Sequence, residues 1–450
     1  MTSAAPPVVA WEEGGAPRQA RWRSEAGWPA PVRVQIADDR LPADVAYRLA
    51  CEGPALWWRG DYQTARPLRQ PLGRRIDRKP RNPPAPPASP AEAFHRLRQS
   101  QGRRARVLGM LLIELEGDWR IALRRAPDLR QACTEAWGPP SGEPVVAALR
   151  ELLGLVGAHE WRKKGVEIPA LGPAPHNRIH PHYGVFSPVR GEYLDLVAQA
   201  PLPQDRRLAW DVGTGTGGIA AVLARCGIER GVGSHLNPRA LACARDNLQR
   251  LGLADRAELL PADLFPPGQA PLVVCNPPWL PARPSSPLEQ AVYDEGSGML
   301  RGFLAGLRAH LSPGGEGWLI LSDLAEHLGL RTRQELLDWI AAGGLSVRGK
   351  LDVRPRHPKA ADPDDPALMD SDRAILDGPE RRGHRRVHRR DVAVDEQPVP
   401  HGSFLGAWHC KAKHELEIDR GPRRRRRHGR RRHRRCADGG GIGQAGPLRP

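Results

Sequence analysis

Residues 208 to 221 read Leu-Ala-Trp-Asp-Val-Gly-Thr-Gly-Thr-Gly-Gly-Ile-Ala-Ala, and this stretch limits the possible folds more than any other. An apolar run ends in Asp211, glycines follow at 213, 215 and 217, and the chain then turns amphipathic. That order predicts a strand, a tight turn and a helix N-terminus. The glycines let the backbone approach a ligand where a Cβ would collide, and the helix start offers unpaired N–H groups. The expectation is a nucleotide-like ligand. No Lys-Ser or Lys-Thr pair follows the glycines, which excludes a P-loop. An acid just ahead of the glycines, two residues before Gly213, suits a ligand carrying a cationic amino group and disfavours a pyrophosphate.

Around this stretch, strand and helix patterns alternate. Strands are predicted at 207–212, 231–235, 257–260, 272–275, 318–322 and 346–353, and helices at 218–225, 238–251, 300–311 and 333–341. Asn237 serves as N-cap and Pro238 as first helical residue of the second of these helices. Such alternation gives a parallel α/β sheet with helices on both faces and ligands at the carboxyl ends of its strands.

A second motif, Val-Val-Cys-Asn-Pro-Pro-Trp at 273–279, narrows the chemistry. A planar amide or exocyclic amine nitrogen is a poor nucleophile because its lone pair is delocalised. If the Asn276 side-chain oxygen and the Pro277 carbonyl both accept from that NH₂, the nitrogen is drawn toward a geometry with an available lone pair. Trp279 can stack on the flat group, and Pro277 with Pro278 keeps the loop stiff.

Together the two motifs resemble the class I S-adenosylmethionine-dependent methyltransferases, within them the Asn-Pro-Pro-[Phe/Tyr/Trp] group that methylates amide or amine nitrogens. Phe-Ser-Pro-Val-Arg-Gly-Glu-Tyr-Leu-Asp-Leu-Val at 186–197, Ala-Asp-Leu-Phe at 262–265 and Gly-Met-Leu-Arg-Gly-Phe-Leu at 298–304 are similar to HemK-type glutamine methyltransferases, with the ribosomal RNA guanine-N2 methyltransferases close in pattern. The resemblance covers about residues 180–353. It implies a Rossmann-like sheet with S-adenosyl-L-methionine as cofactor. Asp211 would lie near the methionine amino group, and Gly213, Thr214, Gly215 and Gly217 would line the cofactor. Asp263 would accept from the adenine amine with Leu264 beside the ring, and Asn276, Pro277, Pro278 and Trp279 would orient the target nitrogen. The second strand departs from the group. Where an acid normally binds both ribose hydroxyls, this chain has His235, followed by Leu236. An imidazole cannot hold two hydroxyls bidentately, so weaker cofactor binding is expected.

Upstream, residues 1–76 form a Trp/Arg-rich segment whose Trp11, Trp22, Trp28, Trp57 and Trp58 are expected mainly in a core. A proline-rich linker occupies 77–89. Residues 90–179 form a small α+β auxiliary domain that opens with a capping box at Ser89 and Glu92. Within it, 107–115 and 119–123 are expected as a hairpin, and 128–137 and 143–156 as helices. The methyltransferase domain occupies 180–358. His176, His180 and His182 lack acids or cysteines at ligand spacing, so no metal is expected. Seven cysteines form no Cys-x-x-Cys pair and suit reduced thiols in a cytoplasmic protein. Neither a secretory signal nor a membrane-length apolar run is expected.

The chain carries a net charge of +17, but 351–450 holds 24 basic and 15 acidic residues and so nine of those charges. The remainder is only mildly basic, compatible with an RNA or nucleoprotein substrate and requiring neither. Residues 359–450 read as a basic tail of low order, with ten arginines in 423–435. Three readings stand side by side: a disordered solvated tail, an RNA-binding segment, or a shifted reading frame. A sheet of this group ends in an antiparallel hairpin, and 403–412 is a poor candidate for its last strand. The functional expectation is N-methylation of a macromolecule, a protein glutamine or a ribosomal RNA base. The alternative is a catalytically weakened RNA-binding or cofactor-sensing module on the same fold.

Overall fold

The computed structural model describes residues 7–78, 84–189, 191–286, 288–353 and the strand 403–410. The tail on either side of that strand lies outside the described residues.

The amino-terminal part contains β1 (Val8–Glu13), β2 (Ala16–Arg23), β3 (Val34–Ala37), α1 (Ala43–Glu52), β4 (Ala55–Trp58), α2 (Tyr62–Ile76), α3 (Pro90–Leu108), β5 (Leu111–Leu115), α4 (Arg130–Trp137), β6 (Val145–Ala148) and α5 (Leu149–Lys164). Its strands form one mixed sheet in the order β1-β2-β6-β5-β4-β3. Gly14 and Gly15, both at positive φ, make the two-residue turn joining β1 to β2. The sheet draws strands from both sides of the proline stretch, so the expected boundary at 77–89 does not separate two sheets. Trp22, Trp57 and Trp58 are buried, and Trp11 stacks on Trp57 at 3.7 Å between ring centroids. Trp28 stays partly exposed.

Two local expectations are corrected. The hairpin at 107–123 does not form: α3 runs on to Leu108, Gly109 closes it by donating to Ala105 O, and β5 pairs with β4 and β6 instead. Trp119 adopts φ 69, incompatible with a strand. The helix expected at 143–156 begins only at Leu149, because Val145–Ala148 is recruited as a fully buried strand between β2 and β5.

A short pair, β7 (Val166–Glu167) and β8 (Arg178–Ile179), leads into the second sheet through α6 (Glu192–Gln199). There follow β9 (Leu208–Val212), α7 (Gly218–Arg225), β10 (Arg230–Ser234), α8 (Pro238–Arg250), β11 (Ala257–Leu260), β12 (Ala270–Cys275), α9 (Gly298–His310), β13 (Leu311–Ser322), α10 (Leu324–His327), α11 (Arg333–Ala342), β14 (Asp352–Val353) and β15 (Ser403–Cys410). The sheet order is β11-β10-β9-β12-β13-β15-β14. One core packs Leu194, Val197, Ile219, Val222 and Leu248 on one face, and another packs Phe303, Leu304, Leu307 and Ile340 on the other. This is the expected α/β layering with helices on both faces. The strand predicted at 346–353 shrinks to two residues. β15 fills the slot next to β13 but runs parallel to both neighbours, not antiparallel as expected. Among the described residues no helix is long and apolar enough to cross a membrane.

Candidate functional site

Register places the site. Val212 lies opposite Ser234 on β10 and Cys275 on β12, so Gly213, His235 and Asn276 each begin one residue beyond the same row. Strand order reverses direction about β9, which opens a crevice at the carboxyl ends of β9 and β12. Three motifs separated by up to about sixty residues of sequence therefore meet at one edge.

The glycine turn is held by backbone bonds from Gly213 N and Thr214 N to Ser234 O, both 3.0 Å. Gly213, Gly215 and Gly217 all have positive φ. A Cβ on Gly213 would lie 2.7 Å from the Met299 methyl, and one on Gly217 would lie 3.2 Å from Ala244. Substitution there is strained by the positive φ, and it would also require Met299 or Ala244 to shift.

Asp211 is 2% exposed. Its Oδ2 accepts from Thr214 Oγ1 at 2.7 Å and from the Ala220 N–H at 3.0 Å, whereas Oδ1 is buried and accepts nothing. Burial pushes the carboxyl up to about 6, with the Thr214 and Ala220 bonds only partly offsetting it. An incompletely partnered carboxylate of this kind is suited to a positively charged group.

His235 accepts the Asn237 N–H at Nδ1, 2.9 Å, which leaves the proton on Nε2. Burial holds its pKa below the ordinary value, so the ring is neutral at physiological pH. It offers one donor where an acid would offer two acceptors. Leu236 is 67% exposed and leaves an apolar surface beside it. Asp263 is exposed. Leu264, at φ 64, accepts at its carbonyl from Ser234 Oγ.

Asn276 and Trp279 engage each other: the indole N–H donates to Asn276 Oδ1 at 3.0 Å. The amide oxygen expected to receive the target nitrogen thus already has one donor and keeps a second lone pair. Pro277 is buried and Pro278 half-buried. Of the thirteen residues expected at the site, Asp211 lies within β9 and the other twelve lie on the turns following β9, β10, β11 and β12.

Other contributors were not anticipated. Gly302 and Gly306, four apart on α9, leave a groove for the 263–265 turn; Cβ atoms there would lie 2.8 Å from Leu264 and 2.6 Å from Phe265. The Gly-x-x-x-Gly spacing is their sequence signal. Met299 N donates to Asp294 Oδ2 at 2.8 Å. Arg239, at the start of α8, reaches the amino-terminal part, pairing with Glu25 Oε2 at 3.2 Å and donating to Ala136 O at 2.8 Å. His180 and His182 contact Arg162 O and Asp246, respectively.

Residues 176–333 match the family model described as methyltransferase small domain. The chain is 32% identical over 175 residues to release factor glutamine methyltransferase of Cereibacter sphaeroides, covering 35% of this chain and 60% of that protein. Over 67 residues it is 42% identical to ribosomal protein L11 methyltransferase of Tolumonas auensis, covering 15% of this chain and 23% of that one. It thus spans less than two thirds of the length of either relative. Among solved structures, RNA methyltransferase from Salinibacter ruber in complex with S-adenosyl-L-homocysteine is 27% identical, covering 28% of this chain and 71% of that one, with a TM-score of 0.21.

Proposed function

We propose that the chain, whose residues 176–333 match the methyltransferase small domain, is an S-adenosyl-L-methionine-dependent N-methyltransferase. Its substrate is a planar amide nitrogen of a translation-related protein. The carrying observation is the register of the sheet, which sets Asn276 beside the glycine turn at one strand edge. The named activities of the release-factor and L11 relatives favour protein over a ribosomal RNA base.

The residues fit the cofactor by chemistry. The unpartnered Asp211 oxygen suits its ammonium, the glycine turn leaves room for its chain, and Leu236 and Leu264 offer apolar contact for a flat base, with Asp263 as acceptor for its amine. When bound, the cofactor supplies a methyl group on a sulfonium. A nitrogen held in line with that methyl would accept it and give up its proton to solvent. Positioning therefore supplies most of the acceleration. Asn276 and the Pro277 carbonyl orient the nitrogen, and Trp279, tied to Asn276, walls the group in.

Incubation with tritiated S-adenosylmethionine and either the ribosomal protein and release-factor fraction or ribosomal RNA tests the reading. Label in protein supports it, and label confined to RNA replaces the substrate class. Asn276→Ala should lower transfer on the order of a hundredfold while cofactor binding persists. His235 favours a second reading, a weakened cofactor-sensing module, which would bind S-adenosylmethionine and label neither fraction.

A further inference from the structure

We propose that Arg98, on α3 of the amino-terminal part, is a positioning residue for the site. It fixes the loop residues 280–286 and 288–294, which continue from Trp279. The assignment rests on the methyltransferase reading for its functional meaning and on contacts for its geometry.

Arg98 grips the loop in three ways. Its Nη1 and Nη2 meet Glu289 Oε1 and Oε2 at 3.2 and 3.0 Å, a two-point pairing. Nη2 also donates to Arg283 O at 3.0 Å. The guanidinium lies over the Tyr293 ring, 4.1 Å from its centroid. The Arg98 side chain is only 16% exposed, so this pairing is less screened than a surface ion pair. A planar fork serves all three contacts at once, which a lysine could not do.

One turn earlier on α3, Phe94 packs in a cluster with Leu280 and Leu328, with Tyr293 at its margin. The loop also closes on itself beside the site: Leu280 N donates to Val292 O at 3.1 Å, and Asp294 N to Leu280 O at 2.9 Å. Leu280 is the immediate neighbour of Trp279. From the far end of the loop Asp294 caps the Met299 N–H, and the Met299 methyl abuts Gly213. Contacts thus run from α3 to the loop bearing Asn276 and on to the glycine turn. The segment 281–286, Pro-Ala-Arg-Pro-Ser-Ser, has little apolar surface of its own, so its order comes from what holds it.

Hydrogen exchange of the full chain, read at the Leu280 and Asp294 amides, tests the assignment. Arg98→Ala should speed exchange there tenfold or more and leave the β9 and β12 amides as they were. Arg98→Lys should restore protection only in part. Glu289→Gln, which keeps the loop's side-chain volume, should act in the same direction by a smaller factor and serves if Arg98→Ala does not fold. In the tritium assay with the ribosomal protein fraction, kcat should fall about tenfold in Arg98→Ala, with the calorimetric Kd for S-adenosylmethionine within twofold of the native chain. Unchanged protection at Leu280 and Asp294, or an equal loss across the β9 and β12 amides, would overturn the assignment. If the native chain transfers no methyl group to either fraction, the methyltransferase reading fails, while the exchange result still decides whether Arg98 orders the loop.

Discussion

Two buried aspartates, one in each sheet region, share a setting and differ in partners. Asp61 follows β4 and Asp211 is the penultimate residue of β9; they are 3% and 2% exposed. Around Asp61 every oxygen is used. Oδ1 accepts the Gln63 N–H at 2.8 Å as the N-cap of α2, Oδ2 accepts from Arg124 and Arg125 at 2.7 and 2.8 Å, and the carbonyl receives the Trp58 indole at 3.0 Å. Burial alone would raise its pKa, but the Arg125, Gln63 and Arg124 bonds outweigh it and hold the carboxyl below its ordinary value. Asp211 has two donors on one oxygen and none on the other, and burial wins. A saturated carboxylate stabilises the fold, whereas an unsaturated one is a vacancy in charge that a ligand can fill.

The largest test of this contrast swaps the two losses. Asp211→Asn should weaken S-adenosylmethionine binding by about ten- to a hundredfold, since a charged partner is worth more than a neutral one. The thermal midpoint at pH 7 should hold or rise, because a poorly partnered buried charge is gone. Asp61→Ala should do the reverse, lowering the midpoint by several degrees with calorimetric affinity unchanged. A midpoint that falls equally in both variants would break the distinction.

Acidity comes next. In the folded chain Asp211 keeps its proton up to about pH 6, whereas the unfolded carboxyl releases it near 4. Its effect on stability therefore becomes less favourable as pH rises through that window. Ammonium binding needs the ionised form and strengthens over the same range. Affinity should drop about tenfold from pH 7 to pH 5, and Asp211→Asn should flatten that slope. Asp61 has the opposite sign: its contribution is complete above the ordinary carboxylate range and disappears as pH falls through its depressed value, so Asp61→Ala should blunt the acid limb of unfolding.

The smallest expected effect is at His235. Replacement by Asp keeps an acceptor for the Asn237 N–H and adds a second oxygen for a ribose hydroxyl, so cofactor affinity should tighten severalfold. Calorimetry showing no gain would mean that the neutral imidazole already serves the site.

Much of the second sheet was legible because its punctuation is local. Alternating glycines, Asn237-Pro238 and the apolar runs mark strand ends and helix starts within a few residues, and α7 begins and ends where the pattern placed it. The amino-terminal sheet was not legible in the same way. Its strands are short, four of the six have five residues or fewer, and the partners that define them lie far off in sequence, as with Arg21 and Val145. Val145–Ala148 carries no feature that separates a buried strand from the first turn of the helix after it. Within the site, residue identities followed from motifs, but the Trp279–Asn276 bond and the Arg98 grip depend on side-chain directions set by tertiary packing.

The insertion of β6 between β2 and β5 has a consequence for synthesis. The β1–β2 hairpin leaves the ribosome early, yet the strand that covers its inner edge emerges more than a hundred residues later. Until then β2 presents unpaired backbone groups alongside Trp22, a surface open to pairing with another nascent chain. Loop closure over that distance delays β6 docking, so this edge should be sensitive to translation rate and chaperone supply.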